Sequence, residues 1–267
     1  MTPRGLDRFA WAWPLGTVLA LVGVWHLLVA SGLVAGYLLP SPGKVMRAIA
    51  RITGDGTLVT HLTPTLTASV VGWACGGLLA TALAALVAEF RWVERSLLVH
   101  LLALQAIPKV ALAPLVFLWL GFDIGGKVLL VTLICFFPVF ANALAGFRSV
   151  DAGLLDLMRA SGAGRWHTWR HVKLPATLPA LFAGLEVSVA FALIGCVVME
   201  FVGATRGLGF VIQDASSTYD LPLSFAAIIV LGVIGTAGNA LLRWARGWLL
   251  PWERAGRSPA PQGAAGG

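Results

Sequence analysis

Charge is scarce in this sequence. Asp, Glu, Lys and Arg make up 12% of its 267 residues, while 58% are hydrophobic. Soluble domains carry about a quarter charged residues, so the composition argues against a water-soluble protein. Cysteine is scarce too. Cys75, Cys135 and Cys196 fall inside apolar runs with no C-x-x-C spacing, which argues against a disulfide framework or a zinc site and reads as small buried residues. Catalytic signatures are missing. Without a G-x-x-x-x-G-K-[ST] phosphate loop, the chain is not its own ATPase. Without G-x-S-x-G, H-E-x-x-H or paired intramembrane Asp, an intramembrane enzyme is disfavoured. His167 and His171 stand four apart, but in a loop, away from the Trp166/Trp169 side, and no metal site is expected. The internal hydropathy repeat of a secondary transporter is not evident either.

What the chain has instead is long apolar runs. They cover residues 15–34, 64–87, 97–120, 128–147, 178–202 and 225–244. Runs of about 20 apolar residues cross the hydrocarbon core as helices. The expectation is an all-α, polytopic membrane protein with about six spans. The N-terminal apolar run follows Arg4 and Arg8, is long, lacks a small-residue cleavage site, and reads as an uncleaved first span. The lone His26 within it reads as a packing residue. The net charge of +7 does not point to nucleic acid, because the basic residues sit in short loops. With the N-terminus inside, inner segments hold Arg4, Arg8, Arg91, Arg95, Arg148, Arg159, Arg165, Arg170, Lys173, Arg243, Arg246, Arg254 and Arg257. Outer segments hold Lys44, Arg47, Arg51, Lys127 and Arg206. That thirteen-to-five bias places both termini and the long loop after the fourth run in the cytoplasm.

Four features stand out between and within the runs. Ser41-Pro42 can start an amphipathic helix with Val45, Met46, Ile49 and Ile52 on one side, expected at the membrane interface. Gly72 and Gly76 form a small-xxx-small pattern, either a close helix contact or chance in a Gly-rich chain. The third run is irregular, interrupted by Gln105, Pro108, Lys109 and Pro114. Lys109 is the only Lys or Arg away from the ends of an expected span; it can snorkel, line a cavity on the path of an anion, or pair with Glu200 or Glu186. Of those two acids, Glu186 lies within reach of the headgroups, and Glu200 ranks first for a structural or gating role.

The longest polar interruption runs from Asp151 to Gly184. Asp151 can cap a short helix. Leu154, Leu157, Met158 and Ser161 share one face of it, and Asp156 and Arg159 are placed to pair on the other. Gly162 and Gly164 break it. A second short helix puts Trp166, Trp169, Arg170 and Lys173 on one face, and Leu174-Pro175 is expected to stop it and start the next span. The apolar face of the first helix has nothing in its own loop to pack against. It rests on the bilayer or its own bundle, or it docks into a groove on another protein.

Asp156-Leu157-Met158, three residues, Gly162, and then Val172, Leu174 and Pro175 resemble the EAA loop of membrane subunits of bacterial ABC importers, Glu-Ala-Ala, three residues, Gly, nine residues, Ile-x-Leu-Pro. Asp156 stands for the Glu, and Leu157-Met158 for the two Ala. Ile107-Pro108-Lys109 to Leu120-Gly121, Phe137-Pro138, Gly146-Phe147-Arg148-Ser149-Val150-Asp151, and Glu200-Phe201-Val202-Gly203-Ala204 to Gly207-Leu208-Gly209 are similar to the nitrate/sulfonate/taurine permease group. The resemblance covers residues 38–252 and implies a type I ABC importer permease fold. It implies one transmembrane domain over 1–252 with a cytoplasmic coupling loop at 148–175; the remaining 253–267, rich in Pro, Gly and Ala, reads as a disordered tail. It implies that Asp156, Leu157, Met158, Arg159, Gly162, Ala163, Leu174 and Pro175 couple the chain to an ATPase. Lys109, Gln105 and Glu200 are the candidates for the translocation path. No cofactor is expected in this chain, since ATP and magnesium would sit on the ATPase. The implied partners are that ATPase, a periplasmic or lipid-anchored solute-binding protein, a second copy in a homodimer, and the lipid bilayer of the bacterial inner membrane. The default solute is a sulfonate, taurine or nitrate anion, and a pyrimidine precursor of thiamine is the alternative.

Overall fold

The structure is a computed structural model and describes residues 12–36, 38–121 and 123–252. Arg4, Arg8 and the tail 253–267, expected to be disordered, lie outside the described residues. The described elements are helical. Four helices are long and apolar enough to cross a membrane: α3 (Thr57–Glu89), α6 (Ile124–Arg148), the continuous helix Arg165–Gly203, and α11 (Leu221–Leu249). A pair of helices, α4 (Arg91–Gln105) and α5 (Ala113–Leu120), bent by 81°, forms either a broken fifth span or a re-entrant loop. The first of the six expected spans is shorter, a 19-residue helix α1 (Ala12–Ala30).

The bend in the third run has a local cause. Pro108 lacks an N–H and ends the regular ladder; Lys109–Leu112 follows as one 3-10 turn. Pro114 was expected to interrupt the span as well. It instead lies in the first turn of α5, where a missing N–H costs nothing, so it starts a helix rather than breaking one.

The centre of the molecule is α3 packed on α6, and α6 packed on α9 (Leu174–Gly203). In lipid no hydrophobic force drives helices together, so close backbone approach carries the packing. A Cβ at Gly72 would lie 2.6 Å from Val131 Cβ, and one at Gly76 would lie 2.9 Å from the Thr132 carbonyl oxygen. The small-xxx-small pair is therefore the α3–α6 contact. Gly184 fills the same role between α9 and α6, where a Cβ would lie 2.8 Å from that of Asn142. Cys135 and Cys196 are buried, as expected, in the apolar seam between these helices.

The amphipathic helix α2 (Pro42–Gly54) is not laid on lipid by the face expected for it. Val45, Ala48 and Ile52 are buried, Val45 and Ala48 against Ala226 of α11, with Trp25 of α1 and Phe225 alongside. Met46 is left 62% exposed. Arg51 reaches Asp220 at 3.1 Å, just before α11 begins. The helix belongs to the bundle.

Candidate functional site

Two regions at opposite ends of α9 carry the functional signals. The first is the loop. Asp151 caps α7 (Ala152–Ala160) by accepting from the N–H groups of Gly153 at 2.6 Å and Leu154 at 3.2 Å. None of the α7 side chains is buried, and Leu154 and Leu157 are 49% and 61% exposed. Arg159 pairs with Asp156 at 2.8 Å, as the spacing required. Both side chains are largely exposed, so the pair contributes little to stability.

The helix ends at Gly162, whose φ is +70°. Its N–H donates to the Arg159 carbonyl at 3.0 Å, and the Ala163 N–H donates to the Met158 carbonyl at 2.9 Å. This is the double hydrogen bond of a Schellman ending. Gly164 has an ordinary φ of −67° and caps α8 (Arg165–Thr168), so Gly162 alone makes the turn.

Leu174-Pro175 does not stop the second short helix. The chain runs through as one helix of 39 residues, Arg165–Gly203. The reason is a single π turn, Trp169–Lys173, in which the Leu174 N–H reaches back five residues to the Trp169 carbonyl. The wider turn accommodates the Pro175 ring at the point where a regular ladder would clash. This segment is fastened to the bundle. Trp169 packs on the core of Ala84, Val87 and Phe140, Trp166 stacks on Trp169, and Lys173 pairs with Glu89 at the end of α3. Arg148, at the end of α6, pairs with Glu94 of α4. A short turn thus joins an unburied helix to one that reaches the far end of the bundle.

At that far end sits Glu200, 1% exposed. Lys127 Nζ donates to its Oε1 at 2.9 Å and to the Arg206 carbonyl at 3.0 Å. The Gly209 N–H donates to Oε2 at 2.7 Å. Thr65 Oγ1 stands 2.9 and 3.1 Å from the two carboxylate oxygens and accepts from the Leu208 N–H at 2.9 Å. The Gly207 N–H donates to His61 Nδ1 at 3.2 Å. One carboxylate therefore ties α3, α6 and α9 to the start of α10 (Leu208–Ser217). Glycine is required here by space, since a Cβ at Gly207 would fall 2.1 Å from Glu200 Cδ.

The sequence places Lys127 in an outer loop, because the fourth apolar run starts at Val128. The structure starts α6 at Ile124 and buries Lys127 to 6% exposure. Lys109 is thus not the only cation within the spans. A signal was available: Lys127 is the fourth residue of α6 and Glu200 the fourth from the end of α9, which gives neighbouring antiparallel helices charges at one depth. Lys109 pairs with neither acid. Its Nζ donates to the Gln105 carbonyl at 3.0 Å and sits 4.2 Å over the Phe137 ring. Lys109 and Gln105 line two adjoining hollows that share Phe137, between α4 and α6. Glu186 reaches Arg246 of α11 at 3.5 Å.

Residues 76–254 match the family described as binding-protein-dependent transport system inner membrane component. The riboflavin transport system permease protein RibX of Chloroflexus aurantiacus is 36% identical over 252 residues, covering 90% of this chain and 94% of that one. A Bacillus subtilis protein assigned as the aliphatic sulfonates transport permease SsuC is 31% identical over 250 residues, covering 93% and 90%. A solved structure of the MetNI methionine ABC transporter in inward-facing conformations matches with a TM-score of 0.56 at 19% identity, over 70% of this chain and 94% of that chain.

Proposed function

The chain belongs to the family of binding-protein-dependent transport system inner membrane components and is an ABC importer permease, and we propose that α7 is where it takes the force of ATP hydrolysis from a separate ATPase subunit. The observation that carries this is an apolar helix face left largely exposed. Leu154 and Leu157 point outward from a helix that buries none of its side chains, while the segment after it is bound to the bundle. A groove on a partner is the environment that this face fits. Asp156, Leu157, Met158 and Arg159 present the helix, Gly162 and Ala163 set its angle, and Leu174 and Pro175 join it to α9. Two copies of the chain would form the path, each docked to one ATPase, in a bacterial inner membrane with the loop in the cytoplasm. A periplasmic or lipid-anchored binding protein would deliver the solute.

The solute class we favour is a sulfonate, taurine or nitrate-type anion, in line with the sulfonate relative and the cationic group of Lys109. The runner-up is a heteroaromatic organic solute such as a pyrimidine precursor of thiamine, which the riboflavin relative favours. Co-purification of the ATPase with the full chain, together with ATP-dependent uptake of a radiolabelled alkyl sulfonate, tests both levels. Retention of the ATPase by a Leu157→Asp variant would overturn the docking role. Uptake of a labelled pyrimidine and not of the sulfonate would favour the runner-up.

A further inference from the structure

The first N–H groups of a helix have no partner within it. At the start of α10, three in succession are taken by side chains from other helices. The Gly207 N–H donates to His61 Nδ1 at 3.2 Å, the Leu208 N–H to Thr65 Oγ1 at 2.9 Å, and the Gly209 N–H to Glu200 Oε2 at 2.7 Å. The Arg206 carbonyl, just before them, accepts from Lys127 Nζ at 3.0 Å. The start of α10 is thus held by α3, α6 and α9 rather than by its own chain.

The three acceptors differ in what a proton does to them. A Thr hydroxyl does not titrate near neutral pH, and Glu200 is paired with Lys127. His61 is only partly buried, and it precedes the apolar run that begins at 64, so it meets solvent at this end of α3. A ring nitrogen that accepts a hydrogen bond carries no proton; in an imidazolium both nitrogens are donors. A proton at Nδ1 would therefore point at the Gly207 N–H. The ring also stacks on Phe210 of α10, with centroids 5.7 Å apart and planes 17° from parallel. The charged groups that act on it are Glu200 from α9, Arg206 from the connection and Asp214 from α10, and Lys127 of α6 stands behind Glu200.

We propose that His61 and Gly207 form a pH-operated clasp on the start of α10. With Nδ1 free of a proton the clasp is shut and α10 is tied to α3. A proton taken from solvent at Nδ1 removes the acceptor, sets two donors against each other and releases Gly207. The shut form binds one proton fewer than the open form. It is therefore favoured as pH rises and lost as pH falls through the range near about 6.5 where a free imidazole titrates. Because α10 packs on both α9 and α11, release at its start loosens the connection between those two spans. The transport reading above enters only by placing this end in the outer solution; the chemistry of the clasp does not depend on it.

Hydrogen exchange of the full chain in detergent micelles tests this without solute, ATPase or ATP. Protection of the Gly207, Leu208 and Gly209 amides is compared at about pH 7.5 and about pH 5.5, corrected for the intrinsic pH dependence of exchange. The lower value is about one unit below a free imidazole, so the open form should gain about tenfold and protection should fall by that factor. The α6 amides of Val131 and Cys135, in the core, should not change. His61→Asn is the control, because Asn Oδ1 can accept in place of Nδ1 and takes up no proton. It should keep full protection at both pH values, whereas His61→Ala should be poorly protected at both. Equal protection of the native chain at the two pH values overturns the proposal. So does an acid-induced loss in His61→Asn as large as in the native chain, since another group would then titrate. A parallel loss at Val131 and Cys135 would mean that acid unfolds the bundle, which also overturns it. None of these outcomes bears on ATPase docking, since α7 lies at the other end of α9.

Discussion

The two ends of α9 are opposites in polarity. At its start, α7 leaves Leu154 and Leu157 exposed and buries nothing. At its end, Glu200 and Lys127 are charged and buried, with every carboxylate oxygen partnered. Each arrangement is unfavourable by itself. The first becomes favourable only with an outside partner; the second is already complete within the chain. The knot at Glu200 is thus complete within the chain, while α7 has the exposed apolar face that the proposed docking would cover, with one long helix between them. The backbone between the two ends is helical without a break from Arg165 to Gly203.

The most damaging way to break this contrast is to remove one charge from the buried end. Lys127→Met leaves Glu200 without its cation, and thermal unfolding in detergent should show a loss of about 3–5 kcal/mol. Lys127→Met with Glu200→Leu should recover most of that, because no lone charge remains. If the double variant is as unstable as the single one, the knot is not held by the charge pair. At the exposed end a charge should do the reverse. Leu157→Asp should leave the melting temperature of the purified chain unchanged and abolish ATPase co-purification, since the residue is 61% exposed in the chain alone.

Gly162→Val sits between these extremes. A β-branched residue at φ +70° should cost about 1–2 kcal/mol and misdirect α7, so binding of the ATPase and uptake should both weaken while membrane insertion holds. Gly164→Ala, at φ −67°, should be silent in the same assays and sharpens the assignment of the turn. Lys109→Gln removes a cation that rests on Phe137, with no acid beside it. Stability should change by less than about 1 kcal/mol, and lowered uptake of an anionic solute would place Lys109 on the path. Arg159→Ala should be smallest, within about 0.5 kcal/mol, because its pair with Asp156 is solvated.

Composition and hydropathy were enough to read an all-α membrane protein, because long apolar runs have no other stable use. The Asp151 cap, the Asp156–Arg159 pair and the glycine turn were also legible, since each depends on residues no more than five apart. Gly162 rather than Gly164 was settled by a backbone angle. The span count was less legible. The third run is divided at Pro108, and the first described helix is shorter than the four that cross unbroken.

What the sequence by itself determined is therefore local: which segments are helical, where they are capped, and which surface of α7 is apolar. The tertiary structure alone decided the rest. Lys127 became the partner of Glu200, 73 residues away, only because α6 begins one turn earlier than its apolar run and lies against α9. Leu174-Pro175 failed to end a helix because tertiary anchors at Trp169 and Lys173 hold a π turn around the proline ring. Helix signals repeat over a few residues and can be read along the chain. A buried charge has meaning only through its partner, and which partner it meets depends on how distant helices pack.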